Sequence, residues 1–534
     1  MKKKILSLIL GALMAVSACS LAACGKGGER VWPETDAGGD VVVAFLHMGT
    51  RPTDFDMVQS KFSEYCNQKL GFGVKFKEAV ITSLEQTYTN WLAANEDVDL
   101  INVYLSDPLA YVTDKKVGEM SSLIAESAPY LNEMSQVQKG SYIYGTDNKL
   151  YGISVFPGSN DSYGGYAYAV QKEVLQTCGL ADTYTEGTVI GYDDLDTIFA
   201  GISEHYKTND KGASIYPCSV LNTVTFDLAI NPYDDMGGGQ YPLGVVMMDG
   251  KTGEWKDEVV NYYETEEFKA YVEKMGEYKE KGYVHPDAET PDSGILDLIE
   301  SGQFVGGFMQ NSQQIKHEWE RKAGNKEFVL LPLSQAYMKM GKPIQAMMIP
   351  AKSKRPRKAM QFLNLLFEDK EFVNIVQRGV EGEHWNFVEG AEDYGIIQET
   401  EKASRYKVGG FWGDYGKIYS YASDGLPVAD VIKNYHSDME YAEHYMDEAN
   451  VNTSPAFGFI YDTTKYNSRI KVLNTKADQY YVTLAVGNGK KGSDGTYTGA
   501  GSTYAEFIEA LKKSKIDDVI ADKNKQYQDW KASK

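Results

Sequence analysis

Val41-Val42-Val43-Ala44-Phe45-Leu46 is a continuous apolar run, and its lack of alternation suits a strand buried on both faces. Downstream, Phe55, Val58, Phe62 and Tyr65 recur at helical spacing, and Val74-Lys75-Phe76-Lys77 alternates as a second strand does. Leu84 to Leu92 reads as helix, and Asp99-Leu100-Ile101-Asn102-Val103-Tyr104 as a third buried strand. The order β-α-β-α-β predicts a parallel sheet with helices on both faces. Ligands of such sheets bind outside the carboxyl ends of the strands. Here those ends are His47-Met48-Gly49 and Tyr104-Leu105-Ser106-Asp107.

The same grammar continues along the chain. Tyr168-Ala169-Val170 leads into a helix near Lys172–Cys178, and Asp193 to Glu204 and Phe268 to Lys281 are amphipathic. Ile295 to Gly302 is a short helix feeding the strand Phe304-Val305-Gly306-Gly307-Phe308-Met309. An apolar strand follows near Ile344 to Ile349, then a helix from Arg357 to Phe367. Gly487 to Gly501 reads as a long surface loop, and Tyr504 to Trp530 as an amphipathic helix. No tandem repeat occurs at a period of about 20–50 residues, which argues against solenoids and propellers.

The 534 residues suggest two to four domains or two large lobes, at about 150 residues per domain. A hydrophobic fraction of 43% supports a packed core, and a net charge of −21 argues against nucleic-acid binding. The one dense basic run beyond the N-terminus, Lys352, Lys354, Arg355, Arg357 and Lys358, lies beside Pro350 and Pro356 and reads as a solvated helix entry. At the N-terminus, Lys2, Lys3 and Lys4 precede an apolar run from Ile5 to Ala18, too short to span a bilayer, where about 20 residues are needed. That is a secretory signal. Leu21-Ala22-Ala23-Cys24 resembles the bacterial lipobox, which implies cleavage after residue 23 and lipidation of Cys24. Residues 24–39 are then expected to be a lipid-anchored flexible tether. Cys66, Cys178 and Cys218 remain, so at most one disulfide is expected, and no CxxC pair supports a zinc site.

The lipobox, the strand ending near Tyr104, the crossing Leu150-Tyr151-Gly152-Ile153-Ser154-Val155-Phe156, and the segments Gly302 to Phe308, Met348 to Lys354 and Ala359 to Leu363 form one set. Together they resemble the extracellular solute-binding proteins of bacterial ABC importers, of the carbohydrate-binding family 1 type. Gly379-Val380-Glu381-Gly382-Glu383-His384-Trp385, Ser454-Pro455-Ala456-Phe457-Gly458-Phe459 and the final helix are similar to a Gram-positive lipoprotein subgroup with an uncharacterised C-terminal domain. The resemblance implies an α/β fold: a two-lobed, periplasmic-binding-protein-like clamp with discontinuous lobes, each a mainly parallel sheet flanked by helices. Lobe one is expected at 40–155 and 346–380, and lobe two at 156–345 and 381–534, with about 450–534 as the subgroup segment.

A neutral sugar is gripped by flat apolar faces and planar polar groups. Phe411-Trp412-Gly413-Asp414-Tyr415 therefore stands out, with Trp412 and Tyr415 as stacking platforms and Asp414 as acceptor. In relatives an aromatic from a comparable late segment stacks on sugar, although the subgroup's Gly-Asn-Gln-type pattern is Gly413-Asp414-Tyr415 here. Trp385 is a further candidate, with a plug beneath its loop as the alternative. Asp161 and Tyr163 follow the first crossing, Gln310 and Asn311 follow a strand end, and Tyr104 and Asp107 are their first-lobe counterparts. No catalytic residue is singled out: Gly-x-Ser-x-Gly, HExxH and P-loop patterns are missing from the sequence. His436, Glu440 and His444 share a helix face whose acidic surroundings read as solvated.

The expected function is capture of a carbohydrate, in the narrower reading an oligosaccharide, by lobe closure. The chain would be a non-enzymatic, lipid-anchored monomer on the extracellular face of a bacterial, Gram-positive membrane. It would deliver its solute to ABC permease subunits, with no cofactor, no metal and no nucleic acid. The rival readings are a secreted glycoside-active enzyme and a peptide-binding or sensor-coupled binding protein.

Overall fold

Strand Val41–His47 is fully paired in parallel with Val74–Val80, from Val41 opposite Val74 to His47 opposite Val80. Leu100 bridges to Val43 in parallel, so Ile101–Tyr104 extends this sheet. Beyond it come Gln345–Met348, Leu150–Ile153 and, at the edge, Tyr142–Tyr144. The computed structural model describes residues 32–47, 49–104, 108–134, 139, 142–154, 165–221, 225–236, 241–339, 345–408, 412–422 and 426–532.

Helices Phe55–Leu70, Pro356–Glu368 and Lys370–Arg378 cover one face of the first sheet. Phe62 stacks on Phe372 at 4.2 Å and meets Phe362 edge-on at 5.8 Å. The opposite face is closed by Leu84 and Tyr88 of helix Leu84–Ala93, with Tyr111 and Val117. Part of the basic run is structural. Arg355 pairs with Asp97 at 3.1 Å and with fully buried Asp99 at 2.8 Å, fixing the start of helix Pro356–Glu368.

A second core surrounds strand Tyr166–Gln171, which lies between Gly306–Gln310 and Phe328–Pro332 and is antiparallel to both. Helix Tyr192–His205, helix Glu266–Glu280 and a small antiparallel sheet of Tyr233–Asp234, Gly244–Met248 and Trp255–Asn261 pack in the same core. The C-terminal helices Asn467–Ala485, Thr503–Lys513 and Ile516–Ala532 are continuous with it through Leu473, Tyr481, Phe507 and Tyr527. At their junction Asp227, buried without solvent contact, accepts hydrogen bonds from Tyr262, Tyr481 and Asn231. Burial pushes its carboxyl up to about 6, against the pull of those donors. Lys523, equally buried, donates to the carbonyls of Asp235 (2.7 Å) and Gly244 (2.8 Å), and desolvation brings it down to about 8.

The two cores are two lobes, and three sequence expectations need correction. The first-lobe sheet is mixed and the sheet around Tyr166–Gln171 is antiparallel in each described pair, so neither is mainly parallel. A strand arriving from the other lobe starts at the rim where local βαβ strands end, so Tyr166–Gln171 and Gln345–Met348 run against their neighbours. Residues expected in lobe two, from Trp385 to Tyr421, pack on the first lobe. Tyr406, Trp412 and Ile418 join its core, Asn374 donates to the Lys417 carbonyl and accepts from Tyr419 N–H, and Lys417 donates to the Phe367 carbonyl. The expected tether also ends sooner. Trp32 donates to the Glu119 carbonyl and lies against Gly118, and Asp36 accepts from the backbone N–H groups of Arg357 and Lys358. The three remaining cysteines are free thiols. Among the described residues no helix is long and apolar enough to cross a membrane.

Candidate functional site

The chain changes lobe between Ile153 and Tyr166, between Met338 and Gln345, and along helix Val428–Met446. These crossings define a rim on each lobe. On the first lobe it holds the ends of Val41–His47 and Ile101–Tyr104 and the start of Gln345–Met348, with Gln345 directly opposite Tyr104. On the second it holds Tyr166 opposite Gln310, followed by Asn311. Strand ends and crossings are where open α/β sheets place their ligands.

Tyr104 is half-buried at the first rim. Beside it, buried Gln345 donates to the Asn102 side chain at 2.8 Å, and Tyr88 donates to the Asn102 carbonyl at 2.9 Å. His47 is buried at the end of its strand, with Nε2 3.9 Å from Glu78 and Nδ1 without a hydrogen-bond partner among the described residues. At the second rim Gln310 is half-buried. Asn311 is held on three sides: its N–H donates to the Gly165 carbonyl (3.0 Å), its carbonyl accepts from Tyr441 (2.7 Å), and its side-chain amide donates to Tyr445 (3.3 Å). Both tyrosines lie on helix Val428–Met446, which also carries Asp438, 3.4 Å from His317, and Tyr435, packed on Tyr394. His436 of the same helix meets Tyr394 edge-on at 5.0 Å, so its ring is engaged in packing.

The second lobe also contains a cavity of about 420 Å³ that the sequence reading did not anticipate. Its size falls within the roughly 300–1,000 Å³ typical of small-molecule sites. Phe226 and Phe308, stacked at 3.9 Å, form an aromatic wall, and Ser219, Asp292 and Ser293 bring polar groups. Ser219 Oγ accepts from Phe308 N–H at 3.2 Å, a close approach possible because residue 307 is glycine: a Cβ there would lie 2.7 Å from that oxygen. Gly306-Gly307 inside a strand was the signal available in the sequence, since glycine in a strand marks close approach of a neighbouring group.

Three sequence candidates are displaced from the site. Trp412 is 0% exposed, wedged between Phe45 (6.3 Å) and Phe76 (5.9 Å) in the first-lobe core, so it offers no face to a solute. Gly413 passes so close to helix Pro356–Glu368 that a Cβ would lie 2.3 Å from the Leu366 carbonyl, which drives the adjoining tryptophan inward. Asp414 is buried and accepts from Gly416 N–H at 2.9 Å, and burial holds its carboxyl above the usual range. Trp385 is the plug: 5% exposed, donating to the Gly379 carbonyl, with Phe387 and Tyr419 around its ring. Tyr415 opens the short helix Tyr415–Lys417, and its side chain is outside the described ones. Asp107, Asp161, Tyr163 and Cys24 also lie outside the described residues.

Residues 61–379, more than half of the chain, match the family described as bacterial extracellular solute-binding protein. This protein belongs to that family. Residues 455–532 match a domain of unknown function, DUF3502. The solute-binding chain is 22% identical to a carbohydrate ABC transporter substrate-binding protein of Streptococcus pneumoniae, over 97% of this chain and 96% of that protein. Its fold is similar to the N-glycan transport solute binding protein NgtS of Streptococcus pneumoniae, at 18% identity and a TM-score of 0.67, covering 92% of this chain and 99% of that one. It is also similar to an HMO binding, ABC-transporter associated solute binding protein of Bifidobacterium longum infantis, at 14% identity and a TM-score of 0.59, over 92% and 99%. The two-lobed α/β clamp implied by the sequence is thus the fold of this family.

Proposed function

We propose that this solute-binding protein captures an oligosaccharide between its lobes and presents it to the permease subunits of an ABC importer, without transforming it. The observation that carries this reading is likeness over nearly the whole length to a carbohydrate ABC transporter substrate-binding protein. The cleft chemistry supports it. Tyr104 offers a half-exposed ring and Gln310 and Asn311 polar groups suited to hydroxyls, and the second-lobe cavity adds the polar groups of Ser219 and Asp292. Asp107, after the third strand, Asp161 and Tyr163, in the sequence of the first crossing, and Tyr415 complete the proposed ligand set. A sugar touching both rims binds the closed clamp better than the open one, and that difference drives closure.

The anchor is a lipid on Cys24, which holds the monomer on the outer face of a Gram-positive cell. Palmitate labelling of the intact chain tests this; label incorporation and membrane retention are expected to vanish in Cys24→Ser. The solute is tested by thermal shift and calorimetry of residues 25–534 against mannose-containing glycan fragments, fructans, malto-oligosaccharides, amino acids and short peptides. A ligand at a hundred times its dissociation constant adds about 2.7 kcal/mol to the folded state. Response to one oligosaccharide class with the sugar recovered unchanged is the expected result. Response only to peptides, or consumption of the sugar, overturns the proposal.

A further inference from the structure

The C-terminal unit of residues 455–532 matches a domain of unknown function, and it touches the opposite lobe. Its last helix, Ile516–Ala532, carries Trp530, whose ring packs with Phe459 and Tyr527 in the second-lobe core. The indole N–H of Trp530 donates at 3.1 Å to the side-chain oxygen of Asn148. Asn148 belongs to the first lobe. It sits in the turn between strands Tyr142–Tyr144 and Leu150–Ile153, whose Tyr142, Leu150 and Ile153 are in the first core. Its φ of +59° places it in the left-handed region, which asparagine tolerates better than most residues. Around this bond lies a polar cavity of about 290 Å³, shared by Gly145 and Thr146 of the turn and by Asp462, Gln526 and Asp529 of the C-terminal unit.

The position of this contact in the first sheet decides what it does. The strand order runs Val74–Val80, Val41–His47, Ile101–Tyr104, Gln345–Met348, Leu150–Ile153, Tyr142–Tyr144. Gln345–Met348 and Leu150–Ile153 adjoin two of the three crossings. The cleft strands are on one side of them, and the edge strand with its turn is on the other. With a hinge axis along these two strands, a rotation that brings His47 and Tyr104 towards the second lobe carries Asn148 away from Trp530. We propose that the C-terminal unit is an interlobe latch, its Trp530–Asn148 bond holding the clamp open and releasing as the cleft closes. The polar cavity at the contact suits such a role, because water can replace the lost contacts as the surfaces part.

The inference rests on the proposed sugar-binding reading for its affinity test, and has a second readout that does not. Trp530→Phe keeps a ring in the core and removes the donor; Asn148→Gly removes the acceptor and keeps the left-handed turn. Each is expected to tighten the sugar found by the ligand screen about fivefold, close to 1 kcal/mol. The double variant is expected to gain no more than either single one, since both remove one bond. Small-angle scattering of the unliganded proteins is expected to show a smaller radius of gyration in both variants. Unchanged or weakened affinity with an unchanged radius, or fully additive gains, overturns the latch. If no sugar binds the wild-type protein the solute reading has failed, and the unliganded radius alone then decides the latch.

Discussion

At the scale of single residues, Trp412 and Trp385 fill packed interiors, at 0% and 5% exposure. Trp412→Ala is expected to destabilise the protein by about 3–5 kcal/mol, because it empties a packed aromatic site. Urea unfolding reads this as a fall in midpoint, while affinity in the folded fraction changes less than threefold. A tenfold loss of affinity at unchanged stability would return Trp412 to the cleft. Asp227 sets a pH dependence of its own. Its folded carboxyl titrates near 6, above the roughly 3.9 of an unfolded aspartate. Between about pH 4 and 6 the folded state therefore holds a proton that the unfolded chain has released. Stability from this group falls as pH rises through that window and stays low above it, by about 3 kcal/mol in all. Asp227→Asn keeps one acceptor and cannot ionise, so its stability curve from pH 4 to 7 is expected to lack that decline. Parallel curves for the two proteins would refute the assignment.

Among the elements, Gly379-Val380-Glu381-Gly382-Glu383-His384-Trp385 is a structural knot at the end of helix Lys370–Arg378. Gly379 has φ +87°, and His384 Nδ1 accepts from Val380 N–H at 2.9 Å while Nε2 faces Asp54 at 3.4 Å. Arg405 reaches the same carboxylate at 2.8 Å. Burial holds the imidazole below its ordinary pKa despite the Asp54 charge, which favours the neutral ring. A Cβ on Gly379 would lie 2.6 Å from His384 Nδ1. Gly379→Ala is therefore expected to cost about 1–3 kcal/mol through strain and the displaced ring, read as a lower melting temperature. An unchanged melting temperature would show that the turn adapts.

For the whole molecule, the C-terminal unit is part of the second lobe's interior rather than an appendage. Tyr271 donates to the Ala485 carbonyl at 2.9 Å, Tyr504 to the Tyr263 carbonyl at 2.9 Å, and Tyr497 covers Gly276 so closely that a Cβ there would lie 2.1 Å from its ring. A chain ending at residue 454 loses Leu473, Tyr481, Phe507 and Tyr527 from one continuous core. It is expected to aggregate or bind a hydrophobic dye strongly, rather than to fold as a smaller clamp. A cooperative melt of that truncated chain would show instead that the unit is dispensable for folding. The exposed ion pairs each contribute little, while the net charge of −21 repels itself, so the melting temperature is expected to rise modestly with salt as that repulsion is screened.

Apolar runs and helical spacing near the N-terminus were enough to read the first-lobe sheet, because strands buried on both faces leave continuous hydrophobic stretches. The rim positions Tyr104, Gln310 and Asn311 were legible for the same reason: strand ends can be counted from the runs themselves. Three things depended on tertiary structure. Strand direction in the two sheets follows from which lobe a strand arrives from, a long-range fact that local pattern does not encode. The homes of Trp385 and Trp412 were decided by packing, since an aromatic beside Gly and Asp has the same local sequence whether it plugs a core or faces a solute. The cavity beside Phe226 and Phe308, and the bond from Trp530 to Asn148 across 382 residues of chain, exist only where separate segments converge. Residue types and periods carried the elements; the pairing of distant surfaces, which no local window contains, determined the site.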